Sequence, residues 1–292
     1  MHKEVALDPS CMGNIEYYNL VKQHFGFDHG RYVSSEVKVW AKEAMSFVKQ
    51  SEMQPNKKKS VKNFLNKLAR NRSVKEFYLA EDRRKINCDS WADWIVEQKE
   101  VRPFSATITE GAGTEGIAIE DINAGCGDWI IKPSISVNRC ADELVSVIKP
   151  LLDISKSITL VDQYFRLANN NTFKVLLTAI STRALDKLTI VSSMDAPDAL
   201  GIFQREYSHL KRDGLEITWL KAPDKFFHDR YVISEVGAIR SGHGFTEDVT
   251  KGIHADKANL NLISKEEADR TLDDLQSLLD RGEVTEVLIV NI

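Results

Sequence analysis

The segment from Phe226 to Glu235, FFHDRYVISE, followed by VGAIRSGHGF, holds residue types that suit phosphate chemistry. A histidine and an arginine two residues apart on a strand point to the same face, because strand side chains alternate. His228 and Arg230 then reach one phosphate, the imidazole as nucleophile or acid and the guanidinium as a bidentate clamp. Glu235, seven residues after His228, is placed to orient the site or an imidazolium. Gly242 to Gly244 gives a loop where backbone can approach an anion closely. Asp162, Tyr164 and Arg166 end the apolar run SITLVDQYF, at the carboxyl end of a strand where α/β sheets place ligands. They form a second tier of candidates, with a structural role as the plainer reading.

A second feature is charge. Between Lys57 and Lys85 stand Lys57, Lys58, Lys59, Lys62, Lys67, Arg70, Arg72, Lys75, Arg83, Arg84 and Lys85, against Glu76, Glu81 and Asp82. That local balance of +8 sits in a chain of net charge -4, so everything else sums to -12. Such asymmetry suits a polyanion-binding face, with Lys57 to Lys75 as candidate nucleic-acid contacts and salt-dependent binding as the consequence. The same charge also suits an anionic membrane surface, and a merely solvated helix face is the bland reading.

Other motifs carry less. Gly111-Ala112-Gly113-Thr114-Glu115-Gly116 fits G-x-G-x-x-G, but it lies between two strand-like runs and reads as a hairpin connection rather than a nucleotide site. Three of the seven histidines, His228, His243 and His254, are clustered without the spacing of a metal site. The four cysteines, Cys11, Cys88, Cys126 and Cys140, include no C-x-x-C pair, which argues against a zinc ribbon and for free thiols in a cytoplasmic setting.

The elements that must position these residues follow from periodicity. From Ser34 to about Glu100 the pattern is helical: Val37, Trp40, Ala41, Ala44 and Phe47 form one stripe and Val61, Phe64, Leu65 and Leu68 another. Strand-like runs follow at Ala106–Thr109, Gly116–Ile122 and Trp129–Val137. Beyond Asp142, helices and strands alternate: helices at Asp142–Leu152, Thr172–Thr182, Pro197–Arg212 and Lys265–Leu279, with strands at Ser157–Phe165, Lys187–Ser193, Leu215–Leu220, Tyr231–Ser234, Ala238–Ser241, Asn259–Ile263 and Glu286–Val290. The expectation is an α/β fold: a mainly helical, locally basic region over 1–103, then a mixed sheet flanked by helices over 104–292, with 104–137 as its β-rich lead-in. Hydrophobic residues at 42% and charged residues at 28% suit a globular protein, and no run reaches the ~20 apolar residues of a membrane-spanning helix.

The His228 segment resembles the phospholipase D superfamily, whose motif is H-x-K-x4-D-x6-G-S-x-N. His228 takes the histidine, Arg230 the lysine, Glu235 the aspartate and Gly242 the glycine. His243 stands in place of the serine and Phe245 in place of the asparagine, and His243 is the residue that partly replaces what is absent. The order of elements is similar to the phospholipase D-like domain at the C-terminus of MIT-domain proteins, which binds anionic phospholipid, and SITLVDQYF looks like a strand of bacterial defence and nuclease members. The resemblance covers about Ser157 to Phe245. It implies a metal-independent phosphodiesterase without cofactor, most simply a nuclease on DNA or RNA, with His228 as nucleophile. In active members two motifs meet across a pseudo-twofold axis, so one motif here implies a homodimer. The bacterial relatives imply phage defence, with an operon-encoded protein as a further partner. The alternative is an inactive phosphate-binding module for nucleic acid or anionic phospholipid.

Overall fold

The computed structural model describes residues 1–70, 74–84, 86, 88–110, 116–180, 185–210, 214–247 and 257–291. The chain divides into two units, His2–Ile131 and Lys132–Ile292. The expected β-rich lead-in is therefore split, one strand going to each unit's sheet.

The first unit runs β1 (Lys3–Leu7), α1 (Ile15–His24), β2 (Arg31–Val33), α2 (Val37–Gln50), α3 (Pro55–Arg70), α4 (Trp91–Val101), β3 (Ala106–Ile108) and α5 (Ile119–Asn123). It is rich in helix, as expected, and adds a three-stranded parallel sheet in the order β2-β1-β3. Alternation on β1 sorts its residues between two layers. Val5 and Leu7 join Tyr17, Trp40, Ala44, Val61, Leu65 and Leu68 from α1, α2 and α3. Ala6 faces the opposite way, onto Trp94 and Ile95 of α4. Burying each such large side chain is worth about 1.5–3 kcal/mol, so the stripes of α2 and α3 anchor those helices. The helix starts are capped by side chains: Asn14 accepts from the Glu16 N–H at 3.0 Å and Ser90 from the Asp93 N–H at 3.2 Å.

Residues 116–122, expected as strand, instead lead into the short helix α5. Ile119 and Ile122, three apart, are both buried, and the Asp121 carboxylate accepts from the Ala118 N–H at 2.9 Å. Packing of that pair overrides the β-branched composition that suggested a strand.

On the Ala6 side of β1 lies a buried ionic network. Arg83 is fully buried and spends all five donors: Nε and Nη2 on the two Glu4 carboxylate oxygens at 2.7 and 2.8 Å, Nη1 on the Gln98 carbonyl and side-chain oxygens, Nη2 also on the Arg102 carbonyl. Arg102 donates to Glu4 at 3.1 Å and pairs with Asp82. Burial alone would raise the Glu4 carboxyl, but the bonds and charge from Arg83, with Arg102 and Ser34 behind them, hold it below the ordinary carboxylate range.

The second unit runs β4 (Ser134–Asn138), α6 (Ala141–Ile154), β5 (Ser157–Val161), α7 (Asn171–Ile180), β6 (Lys187–Ser192), α8 (Ala199–Glu206), β7 (Glu216–Lys221), β8 (Arg230–Ser234), β9 (Ala238–Ser241), β10 (Lys257–Leu262), α9 (Lys265–Asp280) and β11 (Thr285–Asn291). These strands form an eight-stranded mixed sheet, ordered β11-β7-β6-β5-β8-β9-β10-β4. The central strands β5, β6 and β7 are parallel and β8 is antiparallel to β5. Their near-continuous apolar sequences fit a sheet covered on both faces. On one face Val161, Val191 and Leu220 pack with Leu275 of α9. On the other, Trp219 meets Phe173 of α7 at 5.5 Å between ring centroids. This is the expected α/β architecture, a mixed sheet flanked by helices.

Candidate anion-binding site

Three chain segments emerge together at one edge of this sheet. β5 ends at Val161, whose register partner on β8 is Tyr231, so Asp162 follows on one strand where Arg230 begins the next. Arg230 is in turn paired with Ser241, the last residue of β9, so the Gly242–Phe245 loop leaves from the same edge.

Asp162 ties these segments together. It is 2% exposed and accepts from the Tyr164 N–H at 3.0 Å and from the Phe245 N–H at 2.7 Å. The first bond turns the chain after Val161, so the strand expected to reach Phe165 stops there. The second pins the loop after β9, helped by the Ser241 hydroxyl donating to the Gly244 carbonyl at 2.8 Å and by the fully buried Phe245. Gly244 has φ +87°, and a Cβ there would lie 2.6 Å from Asp162 Oδ2, so both conformation and space demand glycine. Burial pushes the Asp162 carboxyl above the ordinary range, while its two backbone bonds and the charges of Arg230 and Arg139 pull it back. Asp162 is thus a structural anchor, in keeping with the plainer reading of the second tier.

Arg230 stands beside it with most of its bonding capacity unspent. Among the described residues it makes a single hydrogen bond, Nη1 to the Gly242 carbonyl at 3.3 Å, and its guanidinium carbon lies 5.7 Å from the Tyr164 ring centroid. Nε is buried without a partner among the described residues. Tyr164 is 57% exposed, and Arg166 is exposed as well.

The histidines lie at the rim. β8 begins at Arg230, so His228 sits in the turn before it, and strand alternation does not set its direction. His228 and His243 are both exposed. Among the described residues neither imidazole has a hydrogen-bond partner; the His228 backbone N–H donates to the Phe226 carbonyl. Glu235 is not brought to this edge. It follows the far end of β8, roughly 17 Å along a five-residue strand at ~3.3 Å per residue, and accepts from the Lys156 N–H at 2.5 Å and the Ser157 N–H at 3.3 Å. Its role there is to satisfy the start of β5. His254 lies outside the described residues.

The site also contains a residue that the sequence did not single out. Arg139, in the turn before α6, donates from Nη2 to the Thr246 carbonyl at 3.2 Å and adds its charge to the field at Asp162. Its only sequence signal is a cation just ahead of a helix start.

In the first unit the basic stretch separates into different roles. Lys57, Lys58, Lys59, Lys62, Lys67 and Arg70 lie on α3 in exposed or half-buried positions, and Lys75 is exposed beyond it. Arg83 is consumed by the Glu4 network, and Arg84 pairs with Glu81 at 2.8 Å. Arg72, Lys85 and residues 111–115 of the glycine motif lie outside the described residues.

No family model and no curated protein matches this chain. Among solved structures it aligns with polyphosphate kinase from Porphyromonas gingivalis at 9% identity and TM-score 0.33, over 57% of this chain and 26% of the kinase. The chain thus spans about a quarter of the kinase's length. It also aligns with TrmBL2, an archaeal chromatin protein, at 13% identity and TM-score 0.33, over 93% of this chain and 92% of that one. Among the described residues no helix is long and apolar enough to cross a membrane.

Proposed function

We propose that the second unit binds a phosphorylated ligand at the edge formed by residues 162–164, 228–230 and 242–245. The observation that carries this reading is Arg230: a half-buried guanidinium held by one hydrogen bond, with its other donors without partners among the described residues. A planar fork with unspent N–H groups suits a phosphate, whose oxygens accept charge-assisted bonds in pairs. Nε is buried, and an unpaired buried donor is costly, so an anion that meets it is bound with a gain in free energy. The carboxylate nearby does not occupy the Arg230 donors, because its oxygens accept from two backbone N–H groups instead.

A second reading, a metal-independent phosphodiesterase, is favoured by one observation: the exposed His228 two residues before Arg230. Binding ranks ahead of turnover because an attacking histidine needs a base or an orienting partner, and Glu235 is at the wrong end of β8 to be one. The two-histidine chemistry of the phospholipase D superfamily would require a second copy of the motif from another chain.

Bis(p-nitrophenyl) phosphate in excess chelator tests both readings, since a phosphodiester that is cut releases coloured nitrophenolate. The expected result is saturable binding that is lost in Arg230→Ala, without nitrophenolate release. Release that survives chelation and vanishes in His228→Ala moves the assignment to the phosphodiesterase. Equal binding by wild type and Arg230→Ala removes the site.

A further inference from the structure

The surface of α3 is strongly basic. Its sixteen residues, PNKKKSVKNFLNKLAR, include Lys57, Lys58, Lys59, Lys62, Lys67 and Arg70 and not one acid. Val61, Phe64, Leu65 and Leu68 are buried, so the cations share the remaining surface with Asn56, Asn63 and Asn66. Pro55, Lys58, Lys59, Lys62, Asn63 and Asn66 share one solvent-facing side of α3.

Two physical features argue that this charge is turned outward for a ligand. The first is position: Lys57, Lys58 and Lys59 crowd the amino end of α3, where the helix dipole is already positive and an acidic residue would be the stabilising choice. The second is partnership. Among the described residues, the Lys58 Nζ bond to the Ser51 carbonyl at 2.8 Å is the one hydrogen bond or ion pair made by these six cations. Among the described residues no carboxylate pairs with these six cations, and an external polyanion would offset their mutual repulsion.

The composition selects the polyanion. An interfacial membrane helix inserts apolar side chains beside its cations, yet no large apolar residue of α3 is exposed. A single-stranded nucleic acid is held on aromatic platforms, and the sole aromatic of α3, Phe64, is buried. What remains suits the backbone of a duplex: lysines for phosphates and asparagine amides that both donate and accept. Lys59 and Arg70, eleven residues apart, fall on one face of the helix about 16 Å apart along its axis at ~1.5 Å per residue, enough to span the ~12 Å major groove of B-form DNA and meet phosphates of both strands.

We propose that α3 is a docking surface for the phosphate backbone of duplex DNA. The proposal stands on first-unit residues alone and does not rest on the anion site of the second unit.

The test is fluorescence anisotropy of the full chain with a labelled mixed-sequence DNA duplex of ~20 base pairs, from about 50 to about 200 mM salt. At ~0.9 counterions per phosphate, the expected slope of log K against log salt is about -4 to -5. Lys57→Gln, Lys59→Gln and Lys62→Gln together should weaken binding at least ~10-fold and reduce the slope by about 3, one per lost phosphate contact. Because these changes relieve the clash with the helix dipole, the variant should melt no lower than wild type, which separates lost binding from lost folding. An equal charge change on α2, with Lys38→Gln, Lys42→Gln and Lys49→Gln, should have a smaller effect. The proposal is overturned by absent duplex binding, by an α3 triple variant that binds like wild type or like the α2 triple variant, or by phosphatidylserine vesicles competing with DNA for the same lysines.

Discussion

Arg83 in the first unit and Arg230 in the second are the same side chain put to opposite uses. Arg83 is fully buried, and its five donors all meet oxygens of Glu4, Gln98 and Arg102. Arg230 is half-buried at the rim of a sheet and makes one hydrogen bond among the described residues. A guanidinium whose donors are all met by its own chain is part of the architecture; one held in place with donors to spare is where the proposed anion would bind. The buried carboxylates beside them differ in the same way. Glu4 is the direct partner of Arg83, whereas Asp162 gives its oxygens to backbone N–H groups and only shares its field with Arg230.

The largest effect follows from breaking the satisfied arginine. Arg83→Ala should destabilise the first unit by about 3–5 kcal/mol, because it leaves the Glu4 carboxylate buried and uncompensated. Denaturant unfolding checks this, and binding of a phosphate ligand at the second unit should be unaffected wherever the chain remains folded. Arg230→Ala should do the reverse: stability within about 1 kcal/mol of wild type, and phosphate affinity ~10- to 100-fold weaker, as expected for one charge-assisted contact.

Gly244→Ala should cost about 1–3 kcal/mol, because it combines a positive φ with a clash against Asp162, and should also weaken the ligand by displacing the loop. Thermal melts beside titrations separate the two effects.

The carboxylates sharpen the comparison through pH. Glu4 titrates below its unfolded value, so the stability it contributes is present above about pH 4.3 and is lost as the pH falls further. Asp162 titrates above its unfolded value, so its burial penalty applies at neutral pH and is relieved as the pH falls through the folded value toward about 3.9. Hydrogen exchange followed by region should show protection around β1 falling in acid, and Glu4→Gln should flatten that response. The smallest effect belongs to Glu235→Gln. It should leave phosphate binding unchanged and cost no more than about 1 kcal/mol in melts, since an amide oxygen still accepts from Lys156.

Much of the second unit was legible because its central strands are apolar runs such as ITLV and LTIVS, separated by amphipathic helices of ordinary length. The first unit's sheet was not, because β2 and β3 are three residues long and β1 is a five-residue run too short for its period to tell strand from helix. The role of Arg83 was hidden inside a charge run, since its partner Glu4 lies 79 residues away and only folding joins them. The glycines after β9 read as a loop where backbone can approach an anion; in the structure Gly244 packs against the Asp162 carboxylate of the chain itself. Glu235 shows the limit of motif spacing: the interval counted correctly along the chain, but five residues of extended strand carry it away from Arg230.

The most direct test observes the two arginines at once. Guanidinium Nε–H signals of Arg83 and Arg230, assigned by Arg83→Lys and Arg230→Lys, can be followed by NMR while inorganic pyrophosphate is added. The expected outcome is a saturable shift of the Arg230 signal, with Arg83 unmoved and the same affinity obtained by calorimetry. A stationary Arg230 signal at pyrophosphate concentrations that saturate the calorimetric binding would contradict the assignment and place the anion elsewhere on the chain.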